Sequence, residues 1–158
     1  MNHITGLGHI AIKVKDVDKS MNFYNRVLEL REMLRLHHDD GSLFLIYIRV
    51  TDHAFLEIFP GAETDRAPGL SANGVHHLCL TVDKLEPMLA RVKENGGRLV
   101  AWRSGELVTV DEPQISRGLD GNRGSWLEDP DGNRIELMEM NEDCIQYKAI
   151  RRLQAEMA

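Results

Sequence analysis

Cysteine is scarce in this chain: Cys79 and Cys144 are the only two, and they lie far apart. Two thiols without close spacing exclude a disulfide framework and fit reduced side chains in a reducing compartment. Long apolar runs are missing too, since none approaches the roughly 20 residues that cross a bilayer, so no membrane partner is expected. The opening MNHITGLGH carries no charged and apolar leader, and a cytoplasmic location is expected. Basic charge is also short: 19 Lys and Arg against 25 Asp and Glu leave a net charge of -6. That balance argues against nucleic acid as the main partner, because neutralising phosphates needs a basic surface.

What is present is 158 residues, 42% hydrophobic and 28% charged, the composition of a soluble globular protein. The length suits one ordinary domain or two small modules sharing a core. An internal repeat favours the modules. LGHIAIKVKDVDKSMNFYNRVLEL, residues 7–30, lies over GVHHLCLTVDKLEPMLARVKENGG, residues 74–97, each reading as a strand followed by a helix. Alternation sets His9, Ala11 and Lys13 against Ile10, Ile12 and Val14, and His77, Cys79 and Thr81 against Leu78, Leu80 and Val82. DHAFLEIF, residues 52–59, likewise matches DGNRIELM, residues 131–138, which aligns Glu57 with Glu136.

In chain order, a strand at 7–14 leads to a helix starting at Asp16 or Asp18, with Met21, Tyr24, Val27 and Leu28 on one face. Strands are expected at 30–37, 43–50 and 54–59, the first two joined at Asp39, Asp40 and Gly41. Residues 60–74, rich in proline, glycine and small polar residues, read as a linker. The second half runs strand 75–82, helix 85–94 ended by Gly96 and Gly97, strand 98–102, a long loop at 103–121, and strands 122–128 and 133–140 joined by DPDG. The loop reads either as a lid or as a plain surface excursion. From Asn141 a helix is expected, with Ile145, Ala149, Ile150, Leu153 and Met157 on one side, packing on the sheet or on a second subunit. The expected organisation is a first module at 1–60, a linker at 61–74, a second module at 75–140 and a C-terminal helix at 141–158.

Histidine nitrogen and carboxylate oxygen suit a divalent transition metal, provided that the ligands converge. His9, Glu57, His77 and Glu136 occupy repeat-equivalent positions on the polar faces of four strands and are the candidate metal ligands. Aligning HLCL with HIAI selects His77; the adjacent His76 is the alternative. His3, His37, His38 and His53 have no repeat partner and read as surface residues, although His37 and His38 could reach a cavity mouth.

GHIAIKV, FYNRVLEL and DPDGNRIEL resemble the first strand, first helix and last hairpin of the vicinal-oxygen-chelate superfamily, which includes glyoxalase I, methylmalonyl-CoA epimerase, extradiol dioxygenases and bleomycin-resistance proteins. The resemblance covers about residues 5–140. It implies an α+β fold in which two βαβββ modules form a curved mixed sheet around a metal, and it carries the family's ligand positions onto the same four residues. The full set of four looks more like glyoxalase I or an epimerase than like a dioxygenase, which uses two histidines and one carboxylate on iron. Bleomycin-resistance proteins generally lack the metal residues. One departure is visible: the glutathione site of glyoxalase I resembles an arginine on strand one and an asparagine after the first glutamate, where this chain has Lys13 and Gly61.

These features imply a metal-dependent lyase or isomerase that acts on a small substrate with neighbouring oxygens through an enediolate, using nickel, zinc, cobalt, manganese or iron. Glu136 or Glu57 is the expected base. Alternatives are an epimerase of an acyl-CoA or hydroxy-keto compound, a ring-cleaving dioxygenase, or a protein that holds a metal or drug without turnover. A homodimer is expected, with the site inside one chain or across two. Arg103, Arg117 and Arg123 flank the long loop and are candidates for binding carboxylate or phosphate.

Overall fold

The period-two alternation of HIAIKV buries Val14 and half-buries Ile10 and Ile12 while leaving His9, Ala11 and Lys13 exposed. In the computed structural model, which describes residues 3–156, this is strand β1 (His9–Val14). Asp16 caps helix α1 (Val17–Asn22) by accepting from the Lys19 amide at 3.0 Å. The helix then widens into a π-helical turn over Phe23–Val27, with the Leu28 amide reaching back to the Phe23 carbonyl at 3.1 Å. Met21, Phe23, Tyr24, Val27 and Leu28 are all buried.

Strands β2 (Arg31–His37), β3 (Leu43–Arg49) and β4 (Phe55–Pro60) complete the first unit. The β2–β3 hairpin turns at Gly41, whose φ of 83° is open to glycine at little cost. Sheet order is β1-β4-β3-β2, and β1 pairs parallel with β4. The unit comprises Met1–Pro68 together with Pro130–Gly132. Asp131 is buried there and accepts from the Lys15 amide at 2.9 Å and the Ser20 hydroxyl at 3.3 Å.

The second unit comprises Gly69–Asp129 and Asn133–Ala158. It runs β5 (Leu78–Val82), α2 (Leu85–Glu94), β6 (Arg98–Arg103), β7 (Glu106–Thr109), β8 (Ser116–Arg117), β9 (Arg123–Glu128), β10 (Arg134–Glu139) and α3 (Ile145–Glu156). Sheet order is β5-β10-β9-β6-β7, with β8 on β9 and β5 parallel to β10. Leu85, Leu89 and Val92 of α2 are buried, as are Leu99 and Ala101 of β6, Leu127 of β9 and Ile135 and Leu137 of β10. The fold class is thus α+β, with one mixed sheet per unit. No helix among the described residues is long and apolar enough to cross a membrane.

Three expectations change. Strand β5 begins at Leu78, so His77 stands one residue before it instead of inside it. The stretch 103–121 is not a continuous loop: Ser104 and Gly105, both at positive φ, turn β6 back into β7, and Ser116–Arg117 pairs with β9. Four-residue and two-residue strands are too short to show a period. Helix α3 buries none of its described residues, with Ile145, Ile150 and Leu153 each about half exposed, so it is not packed on a sheet. Met157 lies outside the described residues.

Lys84, the N-cap of α2, makes no side-chain cap bond. Glu139 of β10 replaces it, accepting from the Leu85 amide at 3.0 Å and from Arg123 at 3.1 Å. The Leu85 bond, aided by Arg123 and Lys84 and opposed by partial desolvation, holds this carboxyl below its ordinary value. A carboxyl lowered on folding stabilises above its unfolded value, and the contribution is lost as pH falls through the folded one. Glu139→Gln should therefore melt a few degrees below wild type at pH 7, with the gap closing below about pH 4. Melting curves across that range check it, and a gap that persists undiminished in acid would refute the cap.

Candidate functional site

Each parallel strand pair places a histidine beside a glutamate. In the first unit His9 faces Phe55 and Ala11 faces Glu57, so the histidine and the carboxylate are diagonal neighbours on one sheet face. His9 Nε2 lies 3.6 Å from Glu57 Oε2. The Glu57 side chain is only 8% exposed, whereas His9 is 52% exposed. Tyr47, opposite Glu57 on β3, donates its hydroxyl to that carboxylate, and this bond, with partial burial, pushes the phenol above its ordinary value.

The second unit repeats the diagonal. Glu136 faces Cys79 in register, and His77 Nε2 lies 3.3 Å from Glu136 Oε2. Trp126 of β9 stands opposite Glu136, where Tyr47 stands opposite Glu57. Its ring meets His77 edge-on at 4.9 Å and Trp102 at 5.5 Å. Glu136 Oε1 lies over Gly124, where an added Cβ would come within 3.1 Å of it. Desolvation, then the Glu136 charge and hydrogen bond, push the Cys79 thiol up to about 12, which keeps it protonated near neutral pH.

Two donors bound to one ion at about 2.1 Å each stand roughly 3.0–3.4 Å apart. The His77–Glu136 separation of 3.3 Å matches that spacing, and the 3.6 Å of His9–Glu57 reaches it with a small rotation. Neutral imidazole nitrogen with carboxylate oxygen is also a donor set that zinc, nickel, cobalt, manganese and iron accept. The residues of each pair therefore fit a divalent ion, although no group of three or more His, Cys, Asp or Glu is gathered among the described residues.

The three arginines that flank the stretch 103–121 each have protein partners. Arg103 donates to Gln114 and the Trp102 carbonyl, Arg117 to the Gly121 carbonyl, and Arg123 to Glu86 and Glu139. Lys13 and Gly61 are neighbours, with the Lys13 Cε 3.9 Å from where a Cβ on Gly61 would stand. His38 packs its ring on Phe44 and stays exposed. Tyr47, Trp102 and Trp126 were missed from sequence; the signal available was their strand parity once the Glu57 and Glu136 registers were known.

A sequence profile described as the Glyoxalase/Bleomycin resistance protein/Dioxygenase superfamily matches residues 6–137. The chain belongs to this superfamily. Among its relatives, a lactoylglutathione lyase of Neisseria meningitidis serogroup A is 26% identical over 149 residues, covering 89% of this chain and 96% of that protein. A lactoylglutathione lyase of Escherichia coli O157:H7 is 25% identical over 134 residues, covering 83% and 90%. A solved glyoxalase family protein from Enterococcus faecalis shares the fold with a TM-score of 0.66 at 22% identity, covering 85% of this chain and 98% of that one. The similarity to named lyases supports a glyoxalase-like enzyme.

Within this superfamily member, Gly124 is the tightest approach to a candidate ligand. Gly124→Ala should fold as well as wild type, or gain up to about 1 kcal/mol in the strand, while displacing the Glu136 carboxylate. Zinc titrated into chelator-stripped protein should then bind about tenfold more weakly, the scale seen when a ligand's support is disturbed. Equal affinity in calorimetry would show that Glu136 does not need the space over Gly124.

Proposed function

We propose that the chain is a divalent-metal-dependent lyase or isomerase of the glyoxalase type, acting on a small substrate that presents two neighbouring oxygens. The observation that carries this reading is the recurrence of one His–Glu diagonal, at ligand-like separation, in both sequence-equivalent modules. His9, Glu57, His77 and Glu136 are the proposed ligands of one ion, supplied by one chain or by two chains of a homodimer. The bound ion would supply a Lewis acid that polarises the substrate carbonyl.

The proton beside that carbonyl must go to a positioned base. Glu57 is held by Tyr47 and nearly buried, whereas the Glu136 side chain is twice as exposed, at 17% against 8%. Glu136 is accordingly assigned as the base and Glu57 as a fixed ligand. Removing the proton gives an enediolate, and returning it to the neighbouring carbon completes an isomerisation, whereas returning it to the opposite face of the same carbon gives an epimer. Trp126 and Trp102 line the Glu136 side and would exclude water during the transfer. Lys13, a flexible point charge in place of the arginine fork of glyoxalase I, favours a substrate other than the glutathione adduct.

Elemental analysis of purified protein, followed by a screen of hydroxycarbonyl compounds and 2-oxoaldehyde thiol adducts with each metal, tests the reading. Bound metal with no turnover across the panel would favour a binding protein. His9→Ala and His77→Ala should each lower metal occupancy. Glu136→Gln should keep the metal and lose about 10²–10⁴-fold in turnover, the usual worth of a general base. A near-native rate in Glu136→Gln beside an inactive, metal-loaded Glu57→Gln would move the base to the first module.

Metal removal supplies a second check. An ion bound only by the folded state stabilises it by about 2.7 kcal/mol at a hundredfold excess over Kd. Chelation should lower the melting temperature while circular dichroism at 25 °C stays unchanged, because each unit has an apolar core of its own. Unfolding on chelation would instead mark the ion as structural.

A further inference from the structure

His76 and His77 are adjacent in sequence, and alternation alone puts their side chains on opposite faces. Their rings nevertheless meet, Nδ1 to Nδ1, at 2.8 Å, with the ring planes crossed at 83°. The departure from alternation is possible because both residues precede β5, which begins at Leu78. Three contacts fix His76 although the residue is exposed. Arg134 donates to its carbonyl at 2.6 Å, Trp102 lies parallel to its ring within 8° at 6.2 Å, and His77 shares its Nδ1 bond.

A histidine that binds a metal through one ring nitrogen must hold its proton on the other, and a partner at that second nitrogen fixes both the tautomer and the ring plane. His77 directs Nε2 toward Glu136 at 3.3 Å, long for a hydrogen bond, and engages His76 through Nδ1 at 2.8 Å. A contact of that length between two ring nitrogens requires one of them to donate to the other. The repeat-equivalent neighbour of His9 is Gly8, which has no side chain to support the His9 ring.

We propose that His76 is a positioning residue for His77: it accepts a hydrogen bond from His77 Nδ1–H, leaving the Nε2 lone pair facing Glu136, while Trp102 holds the His76 ring in plane. This inference rests on the reading of His77 as a metal ligand. It makes His77 the pre-organised histidine of the set and His9 the adaptable one.

Two substitutions separate the hydrogen bond from the packing. His76→Phe keeps a flat ring against Trp102 but removes the acceptor, and His76→Asn keeps an acceptor but removes the ring. Zinc affinity of the chelator-stripped protein should fall about 10–100-fold in His76→Phe, with unchanged melting of the metal-free form, and most of it should return in His76→Asn. Nitrogen-15 ring spectra of the metal-free wild type should show His77 protonated at Nδ1, and a mixture of tautomers in His76→Phe. Wild-type zinc affinity in His76→Phe, or a wild-type His77 protonated at Nε2, overturns the proposal. If the wild type binds no zinc, nickel, cobalt, manganese or iron, the metal reading itself falls, and the ring spectra alone decide whether His76 sets the tautomer of His77.

Discussion

Everything at the site follows from parallel pairing between the first and last strands of each unit. Parallel neighbours cannot be joined by a tight turn, so in both units a helix and further strands intervene between β1 and β4 and between β5 and β10. Buried apolar side chains gather on one face of the paired strands, Val14, Leu56 and Ile58 in the first unit and Ile135 and Leu137 in the second. The opposite face is left for His9 and Glu57, and for His77 and Glu136. Register then turns two distant residues into a diagonal pair, and a slip of one residue would turn the carboxylate to the other face.

The two halves share this frame and differ in what surrounds it. Around Glu57 stand Ala11 and the Tyr47 hydroxyl; around Glu136 stand Cys79 and the indole of Trp126. Each carboxylate has a side-chain donor beside it, the Tyr47 hydroxyl for Glu57 and the Cys79 thiol for Glu136, and the Glu136 side chain is the more exposed of the two. The two carboxylates occupy matched positions in the repeat, and their neighbours differ. The same contrast separates His9, beside Gly8, from His77, beside His76.

The family match runs over residues 6–137 and stops short of α3. Arginine is where expectation and structure part most. Arg123 looked available beside a long loop, yet it links Glu86 of α2 to Glu139 of β10 and so secures the start of the helix. A cation among carboxylates is drawn to the strongest local anion, and Glu139 is held in place by the Leu85 amide.

The sequence by itself determined the repeat, the α+β class, the strand faces and the four candidate ligands, because period-two alternation and duplicated spacing are local properties written residue by residue. Asp16 as a cap and Gly41 as a turn were legible for the same reason. Only tertiary structure decided the rest. The π-turn at Phe23–Val27 depends on how that segment packs, the β6–β7 hairpin on strands too short to carry a pattern, and the cap of α2 on a residue 54 positions away. The contacts of Tyr47 with Glu57, of Trp102 with His76 and of His76 with His77 belong to the same group. Side chains that meet across strands, or at a bend before one, leave no periodic trace, since their proximity is set by register and backbone direction.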